Sequence, residues 1–313
     1  MNRLSDFMLP PARSTVAAET DALFHFINVT SLILLVGITI AIIYFAIKYR
    51  RRSENDVTPV ITHNNKLEIT WSVIPLILVL IVFGWGWKGY MTLITVPDDA
   101  YEVRVVAKSW LWEFHYQNGI VSVNELHVPA NRPVKLVMSS DDVIHSFYVP
   151  DFRVKRDVLP NRYSSLWFEA TEVGEFIVYC TEYCGTAHSN MLAKVITHSQ
   201  EDFETWLATA DAIDESLSPV ELGEQLVQRN ACMTCHSADG SSMQGPTFKG
   251  IWGREQRMTD GTVLTVDENY IRESILEPNA KIVQGYQPVM PNYTGVLNDR
   301  QIDAIIEYLK TVN

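Results

Sequence analysis

Residues 180–191 read CTEYCGTAHSNM: two cysteines four apart, a histidine four later and a methionine three after that. The stretch grows out of EFIVYC (175–180), a run of Val, Ile and aromatic residues, so its side chains are expected on a loop leaving a β-strand. Two thiolates, an imidazole and a thioether are soft or borderline donors, a set that favours copper over calcium or magnesium. Zinc is the main competitor, since two Cys and two His make a tetrahedral structural site, but zinc leaves Met191 without a role. A further strong ligand has to come from elsewhere. His145, in DDVIHSFYVP, stands at a predicted strand end.

Outward from that loop, EVRVVAKSW (102–110), IVSVNELHV (120–128), RPVKLVMSS (132–140), IHSFYV (144–149) and YSSLWFEA (163–170) are short β-prone runs separated by Asn-Gly, Pro and Asp signals. Many short strands at this spacing predict an all-β sandwich or barrel over 96–212, closed by a helix over 200–212. Residues 213–218 read as a linker.

Before the β region lie two uncharged apolar runs, 25–46 and 70–87, each close to the ~20 residues that cross a bilayer. They predict a transmembrane hairpin within 25–95. Lys48, Arg50, Arg51 and Arg52 place the connecting loop, 48–67, on the cytoplasmic side. Both termini and everything after about residue 95 are then expected outside, including a segment 1–24 that carries no apolar signal-peptide core. A bacterial inner membrane is the expected location, with the lipid bilayer as one partner.

The last third differs in charge. Residues 201–313 hold 18 acids and 8 bases, most of the chain's net charge of −12. An acidic module lacks the basic footprint that phosphate binding needs, so nucleic acid is excluded as a partner. Within 219–313, ACMTCHSADG contains Cys232-x-x-Cys235-His236, the covalent haem c attachment pattern, with His236 as one axial ligand. Met290, in GYQPVMPNY, is the expected second axial ligand, with Met243 and Met258 as competitors. Helices are predicted over 219–230 and 298–311, the latter placing Ile302, Ile305, Ile306 and Leu309 on one face. The only cysteines are Cys180, Cys184, Cys232 and Cys235, two close pairs that leave none for a long-range disulfide framework.

His145, Cys180, Glu182, Cys184, His188 and Met191 together resemble the dinuclear copper A motif of cytochrome c oxidase subunit II, and the likeness covers residues 20–200. The resemblance implies a cupredoxin domain in which Cys180 and Cys184 bridge two coppers. It gives His145 and Met191 to one ion, and His188 with the Glu182 backbone carbonyl to the other. It also offers the Glu182 carboxylate to a magnesium ion shared with subunit I, and turns Asp157 and Arg162 toward that partner. KLEITWSVIP (66–75) resembles the family's entrance to the second span, which makes Glu68 the mouth of a proton-uptake channel. The family's electron-accepting cluster reads Trp-Tyr-Trp. Here Leu111 stands between Trp110 and Trp112, a departure that weighs against docking of a free, lysine-rich cytochrome c. Residues 219–313 resemble an all-α class I cytochrome c, including Gly245 and Pro246 in the loop bordering the haem.

The whole resembles subunit II of a caa-type cytochrome c oxidase. It implies a path from an external donor, periplasmic or membrane-bound, through haem c and copper A to subunit I, alongside the other subunits, with dioxygen reduced to water and protons pumped. Two alternatives stay open at this point: the corresponding subunit of a copper-A-type nitric oxide reductase, and a membrane-anchored copper assembly factor. The second of these needs neither Met191 nor a haem domain.

Overall fold

The structure, a computed structural model, describes residues 8–55, 57, 60, 62–210, 212 and 216–313. Two long helices come first, α1 (Ala17–Lys48) and α2 (Asn65–Ile94). At 1.5 Å per residue they reach about 48 and 45 Å, longer than the roughly 30 Å of hydrocarbon in a bilayer. Their apolar windows bury none of their residues, and Ile33, Leu35, Ile38 and Phe83 stand open. Such a surface needs lipid or another apolar protein against it. Asn64 caps α2 by accepting from the Leu67 N–H.

Both helices outrun the apolar stretches that predicted them. α1 begins at Ala17, eight residues before the apolar run, because its start is held by the β domain and not by lipid. Ser14 pairs with Ala170, Val16 and Ala17 are buried, and the Arg153 guanidinium grips the Asp21 carboxylate at 2.7 and 3.0 Å. Within the expected outer segment 1–24, residues 1–7 lie outside the described residues.

The β domain is a sandwich of two five-stranded sheets. One runs β3 (Val121–Val123), β2 (Leu111–His115), β1 (Tyr101–Lys108), β5 (Val134–Ser140), β8 (Ser164–Phe168). The other runs β4 (Glu125–Pro129), β10 (Leu192–His198), β9 (Gly174–Cys180), β6 (His145–Val149), β7 (Val154–Val158). The pairs β1–β5 and β4–β10 are parallel. Buried and open residues alternate along β5 and β9, as one-sided burial requires. Trp112, Phe114, Leu126, Leu136, Phe147 and Phe168 fill the space between the sheets.

One run expected as a single strand, 120–128, is two. Asn124 takes φ 59, a left-handed value that Asn tolerates better than most residues. Its backbone N–H donates to the Trp112 carbonyl while its side-chain oxygen accepts from the Trp112 N–H, both at 2.8 Å. The chain thereby leaves one sheet at β3 and joins the other at β4. The closing helix α3 spans Gln200–Thr209, capped by Ser199, and ends three residues short of the expected 212. Of the expected linker, residues 213–215 lie outside the described residues.

The last domain has its own core. α4 (Pro219–Arg229) starts with a Ser218/Glu221 capping box and proline at its first turn; α6 (Asp299–Leu309) starts with an Asn298/Gln301 box. They cross where Gly223 leaves no room: a Cβ there would overlap the Ala304 carbonyl. The sequence reading did not anticipate the hairpin β11 (Glu255–Arg257) and β12 (Val263–Thr265), or helix α5 (Glu268–Leu276).

Candidate functional site

β9 delivers Cys180 at its last position, and a loop with a short 3-10 turn, His188–Asn190, brings the chain back into β10. β6 lies beside β9, pairing Phe147 with Cys180, so His145 at its first position faces the same loop. The six donors named from sequence converge. The Cys180 and Cys184 sulfurs are 3.7 Å apart. His145 Nδ1 is 3.9 Å from Cys180 Sγ, and the Glu182 carbonyl oxygen is 3.3 Å from it. His188 Nδ1 and Met191 Sδ lie 3.4 and 3.7 Å from Cys184 Sγ.

Asp142 orders this site from behind. Its carboxylate accepts from His145 Nε2 at 2.8 Å and from the Ser109 and Val143 N–H groups at 2.7 and 2.6 Å. Burial alone would raise its pKa, but those bonds hold it well below the ordinary carboxylate range. The proton is thus kept on Nε2, and Nδ1 is the nitrogen turned toward the sulfurs, the usual arrangement behind a metal-binding histidine. Burial works against a charged His145, yet Asp142 and Cys180 raise it to about 9.

The two thiols are unequal. Burial opposes ionisation of Cys180, but bonds from His145 and the Ser146 backbone bring it down to about 7. Burial, and then the neighbouring Cys180 charge, push Cys184 up to about 12. Both sulfurs can be thiolates together only with positive charge placed between them. That requirement, with a nitrogen or thioether beside each sulfur, suits soft metal ions held between the two thiolates.

The second site is an apolar cavity in the last domain, lined by Cys232, Cys235, His236 and Met290 with Phe248, Ile275, Leu297 and Ile305. Met243 and Met258 do not line it; Met258 is buried against Val283. His236 Nδ1 donates to the Pro246 carbonyl at 2.7 Å, leaving Nε2 for a ligand, and burial lowers its pKa so that the ring stays neutral. Gly245 lies against that ring: a Cβ would come within 2.5 Å of His236 Cε1. Phe248 stacks on the His236 ring at 4.5 Å. Burial pushes the Cys232 thiol up to about 12 and raises Cys235 as well. A large, flat, apolar cofactor fixed by two thioethers and one imidazole fits this cavity.

Trp110 touches both sites. It is 7% exposed, its Nε1–H donates to the Cys184 carbonyl at 3.1 Å, its ring covers Gly185, and with Leu111 it lines the haem-domain cavity. Trp112 is fully buried and stands edge-on to His145 at 6.1 Å.

Three family descriptions match in succession. The transmembrane domain of cytochrome c oxidase subunit II matches residues 3–84, its periplasmic domain 83–198, and cytochrome c 220–313. Cytochrome c oxidase subunit 2 of Alkalihalophilus pseudofirmus is 31% identical over 291 residues, 89% of this chain and 83% of the relative. The chain belongs to the cytochrome c oxidase subunit II family. The same subunit of Bacillus sp. is 28% identical over 84% of this chain and 80% of the relative. The periplasmic domain of subunit II from Bradyrhizobium japonicum aligns with 37% of this chain and 96% of its own, at 28% identity and TM-score 0.35.

As a subunit II with an appended cytochrome c, the protein is part of an oxidoreductase complex, and its subunit II periplasmic domain and cytochrome c domain imply copper A and haem c. The subunit II periplasmic domain follows two apolar helices that anchor it in the membrane. Glu68 sits exposed in the first turn of α2, its carboxylate accepting from the Asn64 N–H at 3.2 Å. The Glu182 side chain is exposed, on the same loop as the sulfurs. Asp157 is exposed and accepts from Ser146 and Lys155, and Arg162 is exposed beyond β7. The sequence reading missed Asp142, although its place three residues before His145 was a usable signal. It also missed Phe248, whose stacking on His236 no local pattern announces.

Proposed function

We propose that this subunit takes electrons from an external donor into a haem c held by Cys232, Cys235, His236 and Met290, and hands them through a copper A held by Cys180, Cys184, His145, His188, Met191 and the Glu182 carbonyl to subunit I, where dioxygen is reduced to water with proton pumping. The observation that carries this reading is Trp110, one side chain lining the haem cavity and hydrogen-bonded to the backbone of Cys184. When bound, the two cofactors supply the one-electron chemistry. The chain's own part is to place them on either side of one indole, to exclude water from Trp110 and Trp112, and to hold His145 and His236 in the tautomers that ligate. The two separate hydrophobic cores support dividing the outer region into a copper domain, 96–212, and a haem domain, 219–313.

Glu68, at the mouth of α2, is assigned to the entrance of a proton channel completed by subunit I, and the Glu182 carboxylate to a magnesium ion at the same boundary. Both redox domains lie on the outer face, opposite the Lys48–Arg52 loop, which the basic cluster there supports. Replacing Trp110 by leucine in the assembled oxidase tests the path. Haem-to-copper electron transfer after photoreduction should slow by roughly tenfold, about 1.4 kcal/mol of barrier, while the optical spectra of both centres persist. An unchanged rate would remove Trp110 from the path.

A further inference from the structure

The haem and copper domains have separate cores, and among the described residues Val289 packs on the copper core while Ser109, Trp110 and Leu111 line the haem cavity. Domains of one chain with separate cores can take other poses, so a polar hold between them can decide how often the docked pose is occupied.

Arg229 makes one such hold. Arg229 is the last residue of α4, three positions before Cys232. Its Nη1 donates at 3.1 Å to the carbonyl of Ala210, the C-cap residue of α3 in the copper domain. The last carbonyls of a helix have no partner within it and carry the negative end of the helix dipole, so a guanidinium there is doubly favoured. A cleft beside this contact has Asn124, Glu125 and Lys194 on its copper-domain bank and Gln228, Arg229 and Met233 on the other.

That bank also carries Glu175, ion-paired to Lys194 at 2.9 Å, which leaves Glu125 as its acid toward Arg229. The Glu125 pKa is lowered first by His127, whose Nε2 is 3.4 Å away, and further by Lys194 and Arg229. His127 is itself fixed, stacked on Trp206 at 4.1 Å and hydrogen-bonded to His198 at 2.9 Å. The acid facing Arg229 therefore stands on a rigid base in the copper domain. The Arg229–Ala210 contact also joins the end of one domain to the helix that leads into the haem motif.

We propose that Arg229 is a positioning residue that holds the haem domain in the pose where Trp110 lies between the two redox sites, by gripping the end of α3 and facing Glu125. The inference rests on the electron path proposed above.

The test uses the full oxidase loaded with both cofactors, with Arg229→Glu, Arg229→Lys, Glu125→Arg and the double exchange of Glu125→Arg with Arg229→Glu. Arg229→Glu should slow haem-to-copper electron transfer about fivefold, the scale an exposed charge pair supplies. Arg229→Lys should keep most of the rate, and the double exchange should recover only the share owed to the charge at position 125, because a glutamate cannot donate to the Ala210 carbonyl, while reversing the response to added salt that Glu125→Arg alone shows. Should Arg229→Glu lose its haem spectrum, Arg229→Gln carries the same expectation for the rate. Transfer in the wild type that Arg229→Glu and Arg229→Gln leave unchanged would overturn this inference alone. No transfer from haem to copper in the wild type would overturn the electron path and this inference with it.

Discussion

The copper loop and the haem cavity hold their cofactors by opposite means. The loop is a rim on a finished sandwich: Trp112 and Phe147 pack beneath it, and Asp142 aims His145 before any metal arrives. The haem domain is built around its cavity, and the residues lining it, Ile275, Leu297, Ile305 and Leu309, are also members of its core. One region is a scaffold that presents ligands; in the other the cofactor completes the hydrophobic interior. The difference teaches that loss of cofactor should silence the first region and unfold the second.

The largest effect follows directly. Replacing both Cys232 and Cys235 by alanine, so that haem is not attached, should abolish the cooperative unfolding transition of the haem domain and leave that of the copper domain. Calorimetry with limited proteolysis reads both; survival of the haem-domain transition would break the comparison. Next comes Gly223, which marks how tightly the haem domain closes around its helices. Gly223→Ala forces a Cβ onto the Ala304 carbonyl, separating α4 from α6, and should cost about 3 kcal/mol in denaturant unfolding of that domain alone.

Asp142→Asn sharpens the other side. It removes the carboxylate behind His145 without touching a copper donor, and should weaken copper binding about 10–100-fold with the apo fold intact, as metal titration would show. The smallest effect tests the copper domain's independence through pH. Glu113 is buried and bonded to Lys108 at 2.7 Å and His115 at 3.2 Å. Burial would raise its pKa, but these partners lower it overall. A depressed carboxylate gives stability that is present above its unfolded value near 4.5 and lost as pH falls through the lower folded value. Glu113→Gln should cost about 1 kcal/mol at pH 7, little because Lys108 keeps solvent access and a second partner in Asp141, and should flatten that acid dependence. An unchanged acid limb would assign the dependence to other groups.

Legibility followed the range of the interactions. The runs at 132–140 and 175–180 alternate because one face is wet, and they became β5 and β9. β2 did not announce itself: Leu111–Phe114 are all buried, between the sandwich core on one side and the haem domain on the other, so the period of two is erased. β10 does alternate, with Ala193 and Val195 inward, and was passed over beside the ligand motif that precedes it. α5 carries only a few core residues, Ile271 and Ile275, too short a pattern to separate from loop.

By itself the sequence determined the parts whose chemistry is local. The donors of residues 180–191 share one loop, the Cys-x-x-Cys-His group spans five positions, and two apolar runs have a membrane's length; chain geometry confines each to its own neighbourhood. Only the tertiary structure decided that Asp142 stands behind His145, that Met290 and not Met258 lines the haem cavity, and that Trp110 lies between the two sites while Arg229 holds the end of α3. Those choices depend on small, mutually adjusting surfaces far apart in the chain. Their energies are differences of a few kcal/mol that no periodicity or spacing records.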